Sequence, residues 1–194
     1  MIENMSFGDI SVVILSLVFA TSGYIINFIR GKNEINIQYA NDKHSLEWFR
    51  FLVPFGLIAS MMFYFFGIGS LSYNVIFIII GFLLVTSGMI IRWWAVLSLG
   101  KEFNVSLSII RNHRLKTDGI YSMIRHPSYT GLLMYYIGLA AIMQNTYSLL
   151  ILIIFPAIAV VNRIKKEEDL LSGHFKADYV IYCRSTKKLF PFIY

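Results

Sequence analysis

Cysteine is nearly absent from this chain. The one residue among 194, Cys183, can close no internal disulfide, and with no His or Cys at ligand spacing around it a thiolate metal site is excluded too. Proline is scarce, at four residues, and no stretch rich in Pro, Ser or Gly divides the sequence. Without such a linker, a repeat or a low-complexity tract, residues 1–194 read as a single domain. Charge is thin as well: 14% of residues carry it against 57% that are hydrophobic, and the mean hydropathy is +0.63. That balance excludes an ordinary soluble domain and points to a membrane protein. The net charge of +6 does not indicate nucleic acid, because the lysines and arginines sit beside apolar runs, where basic residues report topology and meet anionic lipid heads.

What the sequence does contain is long apolar runs. Asp9–Ile29 is about 31 Å long as a helix, enough for a hydrocarbon core of ~30 Å. Glu3 and Asp9 stand where a cleaved leader would be basic, so this run is expected to span. Leu46–Phe66 follows, with Glu47 and Arg50 as an anchoring pair at its entry. Val75–Leu97 is third, closed by Trp93 and Trp94 at an interfacial belt with Arg92 snorkelling. Ser128–Met143 and Thr146–Val161 are each only about 24 Å long, and their two-residue break at Gln144 and Asn145 predicts a tight hairpin. Gly81 and Gly88 share a face, as do Gly131 and Gly138, so both stripes are expected in close helix contact. Beyond Asn162, Leu170, Leu171, Phe175, Tyr179 and Tyr182 recur at three- and four-residue steps, the pattern of an amphipathic surface helix.

The expected fold is therefore an all-α polytopic membrane protein with five transmembrane helices. Alternating spans place all 17 lysines and arginines, 4 near 30–50, 6 near 92–125 and 7 near 163–188, on one side. By the positive-inside rule the N-terminus is then outside and the C-terminus cytosolic.

Chemically versatile residues gather on that cytosolic side. The segment from His113 to Gly131 carries His113, Tyr121, His126 and Tyr129 between two apolar runs. Thr117, Asp118 and Gly119 read as a turn, and Pro127 suits the first turn of the fourth helix. A helix N-terminus there offers unpaired amide donors to a carboxylate or phosphate. Arg163 and Glu167, at i and i+4, share a helix face where the fifth run meets water. The hairpin brings the two clusters together.

The spaced set HRLKTDGIYSMIRHPSYTG, then RIKKEE, Tyr179, Tyr182 and LFPFIY, resembles the isoprenylcysteine carboxyl methyltransferase family, most closely a prokaryotic integral-membrane orthologue. The resemblance covers about the last hundred residues. It implies an S-adenosylmethionine-dependent carboxyl O-methyltransferase that releases S-adenosylhomocysteine. It further implies that His113, Arg114, Leu115, Lys116, Tyr121, His126, Pro127, Ser128 and Tyr129 line the cofactor pocket, that Glu167 contacts the cofactor, and that Arg163 faces the substrate, with Arg163 and Glu167 as the catalytic pair. Residues 1–98 then form a three-helix scaffold part and 99–194 the cofactor and catalytic part. The implied partners are a prenylated or otherwise lipid-like acceptor and membrane lipids.

The chemistry agrees with that reading. Displacement at a sulfonium methyl needs a nucleophile held at ~3 to 3.5 Å with water excluded. A carboxylate acceptor is already ionised at neutral pH, so no base is required, and Arg163 suits it through a bidentate contact. A soluble cofactor would enter from water and an apolar acceptor sideways from the bilayer. The alternatives are a phospholipid amine methyltransferase, in which His126 or Glu167 would serve as base, an NADPH-dependent sterol-type reductase, and a membrane scaffold whose polar loop only caps a helix.

Overall fold

The apolar runs form helices whose ends lie close to those expected. A computed structural model describes residues 7–30, 37–103, 107–110 and 114–190. In chain order the elements are α1 (Phe7–Arg30), β1 (Ile37–Asp42), α2 (Lys43–Phe65), α3 (Val75–Leu99), β2 (Leu107–Ile110), α4 (Pro127–Met143), α5 (Thr146–Phe175) and α6 (Ala177–Ser185), with short 3-10 turns at Gly100–Glu102 and Gly119–Ser122. Local chemistry sets several boundaries. The Asn74 side chain accepts the Ile76 amide at the start of α3 and Asn145 accepts that of Ser148 at the start of α5, both as N-caps. Pro127 occupies the first turn of α4.

The fold is helical, as expected, with one short addition and two corrections. β1 and β2 pair antiparallel, Ile37 opposite Ile110 and Asp42 opposite Leu107. Segments of six and four residues are too short for a period-two pattern to stand out between helices. The fifth helix runs on to Phe175 as one 30-residue element, so the amphipathic pattern after Asn162 belongs first to α5. It breaks at Lys176, whose φ of 48° lies in the left-handed region, and resumes as α6. Finally, Arg92 does not snorkel. Its Nη1 donates to the Ser128 carbonyl at 3.3 Å and to the Ser128 hydroxyl at 3.2 Å, and its guanidinium lies 5.6 Å over the Phe19 ring. The inward partners hold the charge beside the N-terminal turn of α4, an arrangement open to buried cations that meet polar groups.

Among the described residues α3 and α5 are long and apolar enough to cross a membrane, whereas the apolar parts of α1 and α2, Gly8–Gly23 and Phe49–Phe65, are shorter. Large apolar side chains face outward along α1, α2 and α3, among them Leu17, Phe51, Phe55, Ile76 and Leu83. α4 sits in the middle: Leu132, Tyr135, Tyr136, Leu139 and Ala140 are each 1% exposed or less. Its most extensive partner is α3, and the two glycine stripes meet as expected. A Cβ built on Gly81 would lie 2.7 Å from the Gly138 carbonyl oxygen, and one on Gly88 2.6 Å from that of Gly131. Only glycine lets the two backbones approach so closely. α1 crosses another side of α4, where the Tyr135 hydroxyl donates to the Leu15 carbonyl and Phe19 stacks on Tyr135 at 4.3 Å. α2 packs on α5, with Ser148 Oγ donating to the Ser60 carbonyl at 2.7 Å.

The hairpin between α4 and α5 turns on Gln144, at φ 45°, and Asn145. Asn145 is 1% exposed and its amide donates to the Ile68 carbonyl at 2.8 Å. This turn therefore also secures the loop between α2 and α3.

Candidate active site

The apolar part of α5 ends at Val161. The turns beyond it carry Arg163, Glu167 and Glu168 alongside the start of α4, because the hairpin makes the two helices antiparallel neighbours. His126, Tyr129, Arg163 and Glu167 are thereby brought together. The Tyr129 hydroxyl donates to Glu167 Oε2 at 2.9 Å and also meets the Arg163 guanidinium. His126 stacks on Tyr129 with ring centres 5.8 Å apart and turns Nδ1 toward Glu167 Oε2 at 3.8 Å. Arg163 and His126 are both buried.

Glu168 faces a different set of groups. Its Oε1 accepts Arg125 Nε at 3.0 Å and lies 3.4 Å from His126 Nε2, and its Oε2 meets Lys188 Nζ at 2.7 Å. Burial opposes ionisation of this carboxyl, yet the hydrogen bonds from His126, Lys188 and Arg125 outweigh it and hold it at about 2, below the usual carboxylate range. The two adjacent acids thus have separate surroundings. Glu167 faces Tyr129, while Glu168 is held by Arg125, Lys188 and His126.

A strap from the chain after α6 completes this wall. The carbonyls of Lys187 and Lys188 accept the amides of Arg125 and His126 at 2.8 and 3.0 Å, and the Leu189 carbonyl accepts the Thr130 hydroxyl at 2.6 Å. Arg125 Nη1 also donates to the Thr186 carbonyl. These bonds satisfy donors at the turn into α4 that would otherwise be orphaned.

The remaining expected site residues lie to one side. His113 falls outside the described residues. Arg114 is exposed, and Lys116 pairs with Asp118 at 2.9 Å. Arg114 and Leu115 line a cavity of about 730 Å³ with Thr117, Tyr182, Ser185 and Thr186. Tyr121 is buried, its hydroxyl donating to the Ala95 carbonyl at 3.2 Å and its own carbonyl accepting the Tyr182 hydroxyl at 2.6 Å. Burial first, and then the Glu167 charge, push its phenol above the ordinary range. Pro127 is buried, and Ser128 is held by Arg92. Tyr182 and Thr186 belong both to the cavity wall and to the bonds that reach the carboxylate cluster.

Arg92, Arg125, Lys188 and Thr186 were not among the expected site residues, and Glu168 was expected in the cluster without a role of its own. The doubled acid in RIKKEE was a visible signal for Glu168. The strap had none, since its main contacts are backbone carbonyls.

The residues present suit a zwitterionic ligand carrying both a cationic and an anionic end. Glu167 offers a carboxylate, Arg163 a guanidinium, and the adjoining cavity has the size of a small-molecule pocket. The profile of the isoprenylcysteine carboxyl methyltransferase (ICMT) family matches residues 78–173, the stretch that carries all of α4 and the Arg163–Glu168 turn. Over that stretch the chain is similar to the ICMT family. Protein-S-isoprenylcysteine O-methyltransferase B of Arabidopsis thaliana is 30% identical over 115 residues, 58% of each chain. The Saccharomyces cerevisiae protein-S-isoprenylcysteine O-methyltransferase is 34% identical over 117 residues, 59% of this chain and 49% of that protein. The chain thus matches about half the length of these ICMT relatives. The solved eukaryotic intramembrane Ras methyltransferase ICMT superposes with a TM-score of 0.70 over 94% of this chain and 66% of its own, at 23% identity. That likeness extends the shared fold to nearly the whole chain and agrees with the membrane class expected from composition.

Proposed function

We propose that the chain transfers a methyl group from S-adenosylmethionine to the carboxylate of a prenylated cysteine or a similar apolar acceptor, at the cytosolic boundary of a membrane. The observation that carries this reading is the junction of Tyr129, Glu167 and the buried Arg163 beside the His126 ring. When bound, the cofactor would supply an electrophilic methyl group. Glu167, oriented by the Tyr129 hydroxyl, would hold the cationic end of the cofactor. Arg163 would hold the acceptor carboxylate and set its oxygen toward the reacting carbon. Because that carboxylate is ionised at neutral pH, no side chain is required to take a proton. The names of the ICMT relatives favour this reaction over amine methylation or sterol reduction.

In this reading all five helices span, with the N-terminus outside and the charged end of α5 in the cytosol, as the distribution of lysine and arginine requires. Residues 1–98 provide the scaffold part and 99–194 the cofactor and catalytic part, with Arg114, Leu115, Lys116, Tyr121, His126, Pro127, Ser128 and Tyr129 on the cofactor side. The cavity beside Arg114 and Leu115 offers an aqueous entrance. The test is calorimetry with S-adenosylhomocysteine, followed by labelled methyl transfer to a farnesylcysteine analogue. Wild type should bind, and Glu167→Gln should bind at least about tenfold more weakly, as loss of a charge-assisted contact predicts. A wild-type protein that ignores S-adenosylhomocysteine would refute the reaction class, and undiminished binding by Glu167→Gln and His126→Ala would refute the site.

A further inference from the structure

α6 places Tyr179, Tyr182 and Cys183 on one face, at i, i+3 and i+4. That face looks onto the site: the Cys183 carbonyl accepts Arg125 Nη1 at 3.3 Å, the Tyr182 hydroxyl bonds the Tyr121 carbonyl, and Tyr182 lines the cavity. Tyr179 packs its ring edge-on to Tyr182, with centres 6.2 Å apart, and is 3% exposed. Its hydroxyl is fully buried and has no hydrogen-bond partner among the described residues. A buried phenol without a partner is costly, and buried polar groups of native proteins are nearly always satisfied. Burial first, then the charges of Glu168 and Cys183, push its phenol above the ordinary range.

We propose that Tyr179 is a cofactor-contact residue, its hydroxyl completing its hydrogen bonding with a polar group of the bound S-adenosyl ligand. This rests on the methyltransferase reading and extends it, since α6 then contributes a wall of the pocket in addition to those from α4 and α5. The nearby carboxylates of Glu167 and Glu168 already take donors from Tyr129, Arg125, His126 and Lys188, and none of these bonds reaches the Tyr179 hydroxyl. An incoming N–H or O–H donor is therefore the complementary group, with the phenol oxygen accepting.

The substitution Tyr179→Phe removes only the orphaned oxygen and separates this role from a structural one by sign. A structural hydroxyl lost should lower the melting temperature of the free protein. An orphan lost should leave that temperature unchanged or raise it, while affinity for S-adenosylhomocysteine falls about three- to tenfold, the value of one hydrogen bond. Tyr179→Leu, which also deletes the ring, should lower both. Wild-type affinity in Tyr179→Phe, or a drop in free-protein melting temperature with affinity unchanged, overturns the assignment. Failure of wild type itself to bind S-adenosylhomocysteine would instead remove the functional reading beneath it.

Discussion

Acid should loosen the clasp around Glu168 in a way that one substitution can isolate. Its carboxyl is held at about 2 rather than the ordinary 4.5, which corresponds to about 3 kcal/mol at ~1.4 kcal/mol per pH unit. The Lys188 side chain is 28% exposed and that of Glu168 17%, so solvent screens part of this and about 2 kcal/mol is the expected effect. The sign follows from the depressed value. Protonation is resisted more in the folded protein than in the unfolded chain, so the stabilisation is complete above about 4.5 and is lost as pH falls toward about 2. In Glu168→Gln the group cannot ionise. The variant should be less stable by about 2 kcal/mol at neutral pH, and the gap to wild type should close across that window. Unfolding in detergent micelles, followed at several pH values for both proteins, reads the difference directly and cancels the other carboxylates. If the two curves stay parallel from neutral pH to acid, the bonds from Arg125, Lys188 and His126 to Glu168 do not persist in solution.

The glycine stripes and the hairpin turn make further predictions. Gly131→Ala places a methyl group against the backbone of α3 near Gly88 and Arg92, and should destabilise by about 1–3 kcal/mol or more, as overpacking does; a neutral result in micellar unfolding would contradict the close approach. Asn145→Ala should cost about 1–3 kcal/mol, since it removes the α5 cap and the buried amide's bond to the Ile68 carbonyl. Limited proteolysis of the loop between α2 and α3 should quicken in that variant, and unchanged cleavage would count against the clasp.

Much of the scaffold was legible because its physics is local. Run length and hydropathy marked α1 to α5, and Pro127 and Asn145 marked two starts through their first-turn chemistry. The stripe at Gly81, Gly88, Gly131 and Gly138 marked a contact because nothing larger fits where backbones touch. What stayed hidden depends on partners distant in sequence. Arg92 beside tryptophans has the signature of an interfacial anchor, and only the position of Ser128 in space turns it inward. The break at Lys176 uses a left-handed backbone at a residue with no preference for it, so no punctuation announced the end of α5. At the site, the spacing of Arg163 and Glu167 and the hairpin geometry were enough to foresee that they would approach His126 and Tyr129. The separate surroundings of Glu168 could not be read, because its two cations come from Arg125 and from Lys188 in the strap.

The strap has a consequence for how the protein is made. The turn at Arg125, His126 and Thr130 is fixed by carbonyls about sixty residues downstream, Thr130 and Leu189 being 59 positions apart. During synthesis, the apolar runs of α1 to α5 are complete while that turn still lacks its acceptors. A ribosome that stops anywhere between Val161 and Thr186 would therefore release a product with its apolar helices complete and its binding turn unfixed, a species that a hydropathy-based quality control has no means of rejecting.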